Sequence, residues 1–260
     1  VLVGPRGSGT GIVEVTSSGV TSGSARVPHV ECDAAPKAGA CLVALKAFDI
    51  GPSARAVGRC SDRIVCLSNG MGLEREWGEL AELVEPCVVL GGFTSLPGWS
   101  VETHPGGFVA KRGGIAEPLL GAAGLQVECC DEMEPRRWAK WLVNSSLNPV
   151  AALARARNDR LRALGLEPLV THLQEELAVL VPQGIRAGSA AEARTLTGFL
   201  MEHSANRCSM LQDLEHGRPT EIGYLTGLAR RISPGACPVA EAVADLLAAL
   251  ETAARNGRTD

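Results

Sequence analysis

Residues 135–156 read PRRWAKWLVNSSLNPVAALARA, and at this stretch the texture of the chain changes. Upstream, short β-branched runs alternate with Gly, Pro and Ser; from Pro135 onward Ala, Leu, Arg and Glu recur at helical spacing. Inside the stretch Lys140, Asn144 and Asn148 fall every fourth residue, the spacing that stacks side chains on one face of a helix. Their neighbours Trp141, Leu142, Val143 and Leu147 are apolar. A solvated face usually carries Glu, Lys and Arg, whereas an ammonium and two amides set among apolar residues need partners or a chemical role.

Working back from Pro135, the runs VLVG, GIVEV, ACLVALK, RIVCLSNG, PCVVLGGFTS and GGFVAKRGG read as strands. The near-continuous apolar ones suit a parallel sheet covered on both faces. LEREWGELAELV, residues 73–84, has apolar residues at helical spacing with Gly78 as its weak point. Working forward, five segments read as helices: 135–156, 168–184, 189–217, 221–232 and 238–257. The pattern predicts an α/β domain over residues 1–134 followed by an all-α domain over residues 135–260. A cleft between two such domains, at the carboxyl ends of parallel strands, is where a small ligand is expected.

Two polar residues directly follow apolar strands, Lys46 in ALKAFDI and Asn69 in LSNGMG. Singly they read as a surface cap and an Asn-Gly turn; together they fit two strand ends facing one ligand. The glycine cluster GPRGSGTG lacks the third glycine of G-x-G-x-x-G, because Ile12 stands there, and reads as a plain turn. Arg6, in contrast, stands at the tip of a strand, where a Rossmann fold can use Arg to pair with the 2′-phosphate of NADP. In the helical half, Asn206 and Ser209 lie three apart, on one face if helical, and Glu221 opens a further segment; each also reads as a helix cap or an acidic first turn.

Composition narrows the classes. The chain has 260 residues, 45% hydrophobic and 21% charged, with a formal net charge of -4 and no basic tract, which argues against nucleic acid and against a polybasic membrane anchor. No apolar run approaches the roughly 20 residues that span a bilayer, and no secretory leader is recognisable, so a cytoplasmic location is expected. The nine cysteines contain no C-x-x-C and read as small buried hydrophobes, with Cys208 set apart by its polar neighbours. No G-x-S-x-G or H-E-x-x-H occurs, so neither hydrolase nor zinc chemistry is indicated.

Taken in order, Lys46, NGMG, KWLVNSSLNP, NRCSMLQD and TEIGY resemble the ketopantoate reductases, the NADPH-dependent 2-dehydropantoate 2-reductase family. The resemblance covers nearly the whole chain. It implies a Rossmann-like N-terminal domain, here incomplete because the first strand and its G-x-G-x-x-G turn are not in the sequence, and a helical substrate domain. It makes Lys140 the proton donor, with Asn144, Asn148, Asn158, Asn206 and Ser209 around a keto acid. It assigns Arg6, Lys46, Asn69, Gly98 and Glu221 to the NADPH side, with Asn69 and Glu221 close to both ligands and Glu221 holding Lys140 or the nicotinamide ribose. The alternatives are a reductase of another branched 2-keto acid and a non-catalytic binding relative. The oligomeric state is open, with a homodimer among the options.

Overall fold

A computed structural model describes residues 2–4, 8–19 and 22–256. The chain forms two compact units: Val1–Leu45, Asp49–Ser68 and Gly72–Met133 make the first, and Lys46–Phe48, Asn69–Met71 and Glu134–Asp260 the second. Two three-residue segments of the N-terminal half thus pack with the helices.

The first unit is α/β. Its strands are β1 (Leu2–Gly4), β2 (Gly11–Gly19), β3 (Gly23–Glu31), β4 (Cys41–Val43), β5 (Arg63–Cys66), β6 (Leu83–Pro86), β7 (Val88–Val89), β8 (Phe93–Leu96), β9 (Ser100–Thr103), β10 (Phe108–Lys111) and β11 (Val127–Cys130). The expected parallel sheet is β4-β5-β6, with both pairings parallel. Elsewhere the chain folds back on itself: β2 pairs antiparallel with β3, and β8 with β9, inside a five-stranded sheet ordered β1-β3-β2-β9-β8. The third sheet, β11-β10-β7, is mixed.

Helix α1 (Ala47–Cys60) crosses from β4 to β5, and α2 (Ala116–Ala122) from β10 to β11. Val65, Phe108, Ala110, Ile115, Ala116 and Leu120 share one core cluster under α2. The buried carboxylate of Glu85, on β6, accepts from the backbone N–H groups of Ile115 at 2.7 Å and Ala116 at 3.1 Å. It satisfies donors that the start of a helix leaves unpaired, and its charge suits the positive end of the helix. LEREWGELAELV does not form the helix its spacing suggests. It makes two 3-10 turns, Leu73–Glu76 and Gly78–Leu80, and then enters β6. Gly78 has φ +45° and breaks the periodicity, while Leu83 and Val84 pair with β5.

The second unit is helical: α3 (Met133–Leu153), α4 (Glu167–Ala178), α5 (Gln183–His203), α6 (Ser209–Glu215), α7 (Leu228–Ile232) and α8 (Pro238–Asn256). Its core draws Leu142, Leu147, Leu161, Leu173, Leu177, Met210, Leu211 and Leu247 together. The segment 189–217, expected as one helix, is two, because residues 204–208 leave helical geometry. Cys208 is extended at φ -58°, ψ 153° and caps α6, its sulfur accepting from Leu211 N–H at 3.4 Å. The segment 221–232 is likewise split into a 3-10 turn, Ile222–Tyr224, and the short α7.

Helix α3 passes through Pro149 without ending. Proline has no N–H, so the carbonyl of Ser145, four residues earlier, loses its helical donor. The hydroxyl of the fully buried Thr226 donates to that carbonyl instead, at 2.7 Å.

Candidate functional site

Parallel pairing delivers the first two polar residues. Val43 of β4 is in register with Cys66 of β5, and Lys46 and Asn69 each follow three residues later. The strand ends are stitched by Leu67 N–H to Val43 O at 2.8 Å and by Ser68 Oγ to Leu45 O at 2.6 Å.

Both residues converge on Glu221, which is 4% exposed. Its Oε1 accepts from Ala47 N–H, the first residue of α1, at 2.9 Å, and its Oε2 from Asn69 Nδ2 at 3.3 Å. Lys46 Nζ stands 4.0 Å from Oε2. Burial pushes the Glu221 carboxyl above the usual carboxylate range, against the lowering influence of Lys46, Ala47 N–H and Asn69. Asn69 Oδ1 accepts from Asn144 Nδ2 on α3 at 3.1 Å. An unbroken polar chain therefore runs Asn144, Asn69, Glu221, Ala47.

Lys140 lies one helical turn before Asn144, partly buried, with no ion-pair or hydrogen-bond partner among the described residues. Burial lowers its ammonium from 10.5 to about 8. A lysine so placed stays protonated near neutrality yet gives up its proton more readily than an exposed one.

The remaining expected residues gather around the other end of α3. Asn148 is partly buried, and its carbonyl accepts from Cys208 Sγ at 3.4 Å. Asn158, 4% exposed, donates its backbone N–H to Asn206 O at 3.1 Å, while its side-chain Oδ1 is buried without a partner among the described residues. Such an orphan acceptor suits a ligand that brings a hydroxyl or N–H. Ser209 is exposed as the first residue of α6. Asn206 lies in the non-helical connection before it, so the two do not share a helical face as their spacing suggested; the Cys208 cap intervenes. The Cys208 thiol is buried and pushed up to about 11, chiefly by desolvation, which makes it a structural cap rather than a nucleophile.

Gly98 occupies the exposed turn between β8 and β9 at φ +75°, a backbone conformation that by itself calls for glycine. Arg6 lies outside the described residues. Among those residues no group of three or more His, Cys, Asp or Glu could hold a metal, and no helix is long and apolar enough to cross a membrane.

One residue of the site escaped the sequence reading. Asp213, 2% exposed on α6, accepts from Lys46 Nζ at 2.5 Å through Oδ2 and from Arg218 Nε at 3.1 Å through Oδ1. The signal was present: an acid among Met210, Leu211 and Leu214 is as anomalous as Lys140 among its neighbours.

The donor set fits the nicotinamide-ribose end of a dinucleotide: an ammonium and an amide past the ends of two parallel strands, with a carboxylate to accept hydroxyl protons. Among the described residues no helix intervenes between β1 and β2.

By fold, the chain falls in a class of proteins that place an α/β domain before a helical one. It matches a PanE/ApbA family ketopantoate reductase structure from Ralstonia eutropha with TM-score 0.78 and 22% identity, over 94% of this chain and 86% of that one. D-mandelate dehydrogenase, in a ternary structure with NADH and anilino(oxo)acetate, matches with TM-score 0.75 and 16% identity, over 92% and 85% of the two chains. The family model described as the C-terminal part of ketopantoate reductase PanE/ApbA matches residues 132–251. The 2-dehydropantoate 2-reductase of Archaeoglobus fulgidus is 30% identical over 217 residues, covering 76% of this chain and 71% of that protein. The chain belongs to the ketopantoate reductase family.

Proposed function

We propose that this chain reduces the ketone of 2-dehydropantoate to the alcohol of pantoate, with NADPH as hydride source. The observation that carries the reading is Lys140, an unpaired, desolvated ammonium on the helix face of Asn144, whose amide leads through Asn69 to Glu221. Membership of the family and the relative from Archaeoglobus fulgidus support the substrate.

A bound reduced nicotinamide supplies the hydride. As the carbonyl carbon is reduced, the electron pair of the C=O bond moves to oxygen, and Lys140 Nζ stabilises the developing alkoxide and donates its proton. Asn144, Asn148 and the orphan Oδ1 of Asn158 bind the hydroxyl and carboxylate of the substrate, with Asn206 and Ser209 beside them. Lys46 and Asn69 hold the nucleotide, and Glu221 accepts from a ribose hydroxyl. Arg6 pairs with the 2′-phosphate. Gly98 serves its hairpin turn first, and its contribution to the nucleotide is through the backbone.

The test is nucleotide oxidation at 340 nm with 2-dehydropantoate, pyruvate, 2-ketoisovalerate and phenylglyoxylate, each with NADPH and NADH. The reading expects the highest kcat/KM for 2-dehydropantoate with NADPH, and a loss of about 10²–10⁴-fold in kcat for Lys140→Ala. A preference for phenylglyoxylate with NADH would move the chain toward the D-mandelate dehydrogenase chemistry whose fold it shares. No turnover with any pair would leave a binding protein. Asn144→Ala should raise KM by a factor corresponding to about 1–3 kcal/mol for a lost buried contact.

A further inference from the structure

Two buried carboxylates, Asp213 and Glu221, share one ammonium. Lys46 Nζ is 2.5 Å from Asp213 Oδ2 and 4.0 Å from Glu221 Oε2. Asp213 is held from its other side by Arg218, whose own side chain is half exposed. The Lys46 side chain is 34% exposed, so the ammonium is a partly solvated cation fastened at one end of a buried acidic pair.

We propose that Asp213 is a positioning residue of the site: by holding Lys46 it sets how much of that positive charge reaches Glu221, and where the ammonium stands when a nucleotide binds. The second half of the statement rests on the nucleotide reading of Lys46; the first does not.

The electrostatics give the signs. Removing the Asp213 charge takes away a neighbour that disfavours ionised Glu221 and frees Lys46 to close the 4.0 Å gap, so both changes favour the carboxylate. Removing Arg218 leaves the negative charge of Asp213 less compensated, which disfavours it. Asn69 and Ala47 N–H, the remaining groups on Glu221, are neutral and common to both variants. The nearby acid Glu251 on α8 is occupied by Thr220 and paired with Arg255 at 3.0 Å.

The experiment is a carboxyl titration of the ligand-free 260-residue chain by carbon-13 NMR with side-chain-labelled glutamate, the Glu221 signal being assigned by its loss in Glu221→Gln. Asp213→Asn should lower the Glu221 midpoint by roughly half a pH unit or more, and Arg218→Gln should raise it. Asp213→Glu, which restores a carboxylate, should return the midpoint toward that of the parent. Shifts of the same sign in Asp213→Asn and Arg218→Gln, or no shift in folded Asp213→Asn, would overturn the proposal. Should Asp213→Asn fail to fold, Arg218→Gln decides alone: an upward shift supports the role, and an unchanged or lower midpoint removes it.

With nucleotide, Asp213→Asn should raise KM for NADPH several-fold while kcat changes less. The titration needs no turnover. A chain without reductase activity that still showed opposed shifts would refute the functional reading and keep the positioning role; an active chain with static midpoints would do the reverse.

Discussion

The Thr226 hydroxyl and the Ser145 carbonyl meet at 2.7 Å because Pro149 has deprived that carbonyl of its helical partner. Thr226→Val keeps the shape and removes the donor, leaving a buried carbonyl unsatisfied. The expected cost is about 1–3 kcal/mol, read as a lower urea midpoint at unchanged slope. An unchanged midpoint would mean that α3 tolerates the proline without help.

With Lys140 as the proposed proton donor, its ammonium, lowered to about 8, sets the expected pH dependence of turnover. Below that value the proton to be donated is present; as pH rises through it the donor is lost. The limiting kcat should therefore be level near pH 7 and fall by about tenfold per unit well above pH 8. A kcat flat from pH 7 to 10 would show that the proton comes from elsewhere.

The same burial makes Lys140 a cost to the fold. Its folded value of about 8 lies below the ordinary 10.5, so the penalty is absent above pH 10.5, grows as pH falls from there to about 8, and is complete below. Lys140→Met should stabilise the protein by roughly 3 kcal/mol at pH 7, an order-of-magnitude figure at 1.36 kcal/mol per unit, with the gain shrinking as pH rises. Thermal melts at pH 7 and pH 10 supply the comparison, and a gain independent of pH would point to packing rather than charge.

Gly114 precedes α2 and Gly121 lies in its last turn, and the two should respond oppositely to alanine. A Cβ at Gly114 would sit 2.2 Å from Glu85 Oε2, inside the carboxylate that caps the helix, whereas one at Gly121 meets nothing within 4 Å. Gly114→Ala should destabilise by about 1–3 kcal/mol, and Gly121→Ala should stabilise by about 0.5–1 kcal/mol. Melting temperatures that move together would contradict the assignment of Glu85 as a cap.

What the sequence made legible was whatever local pattern could carry. Lys140, Asn144 and Asn148 announce themselves by helical spacing in an apolar run, and Lys46 and Asn69 by their place after strands. The fold-back of β2 onto β3 and the division of residues 73–84 into two 3-10 turns and the start of β6 were not legible, since both depend on what the segment packs against. Asn206 and Ser209 were read as helical neighbours because nothing in NRCSM shows that Cys208 turns extended to cap α6. Asp213 was missed for a different reason. Its meaning lies in Lys46, 167 residues away, and long-range ion pairs leave no periodic trace.

The helical unit includes Lys46–Phe48 and Asn69–Met71, six residues supplied from the other half of the chain. A fragment beginning at Glu134 would keep Asp213 and Glu221 in its interior and lose the ammonium, the amide and the Ala47 N–H that they bind. Asp213 would keep Arg218, but Glu221 would then face the choice of taking up a proton or drawing water into the core. Domain swapping between relatives at this junction meets the same difficulty: a chimera inherits the acids from one parent and the lysine they share from the other, so strand ends and helices must be exchanged as a matched set.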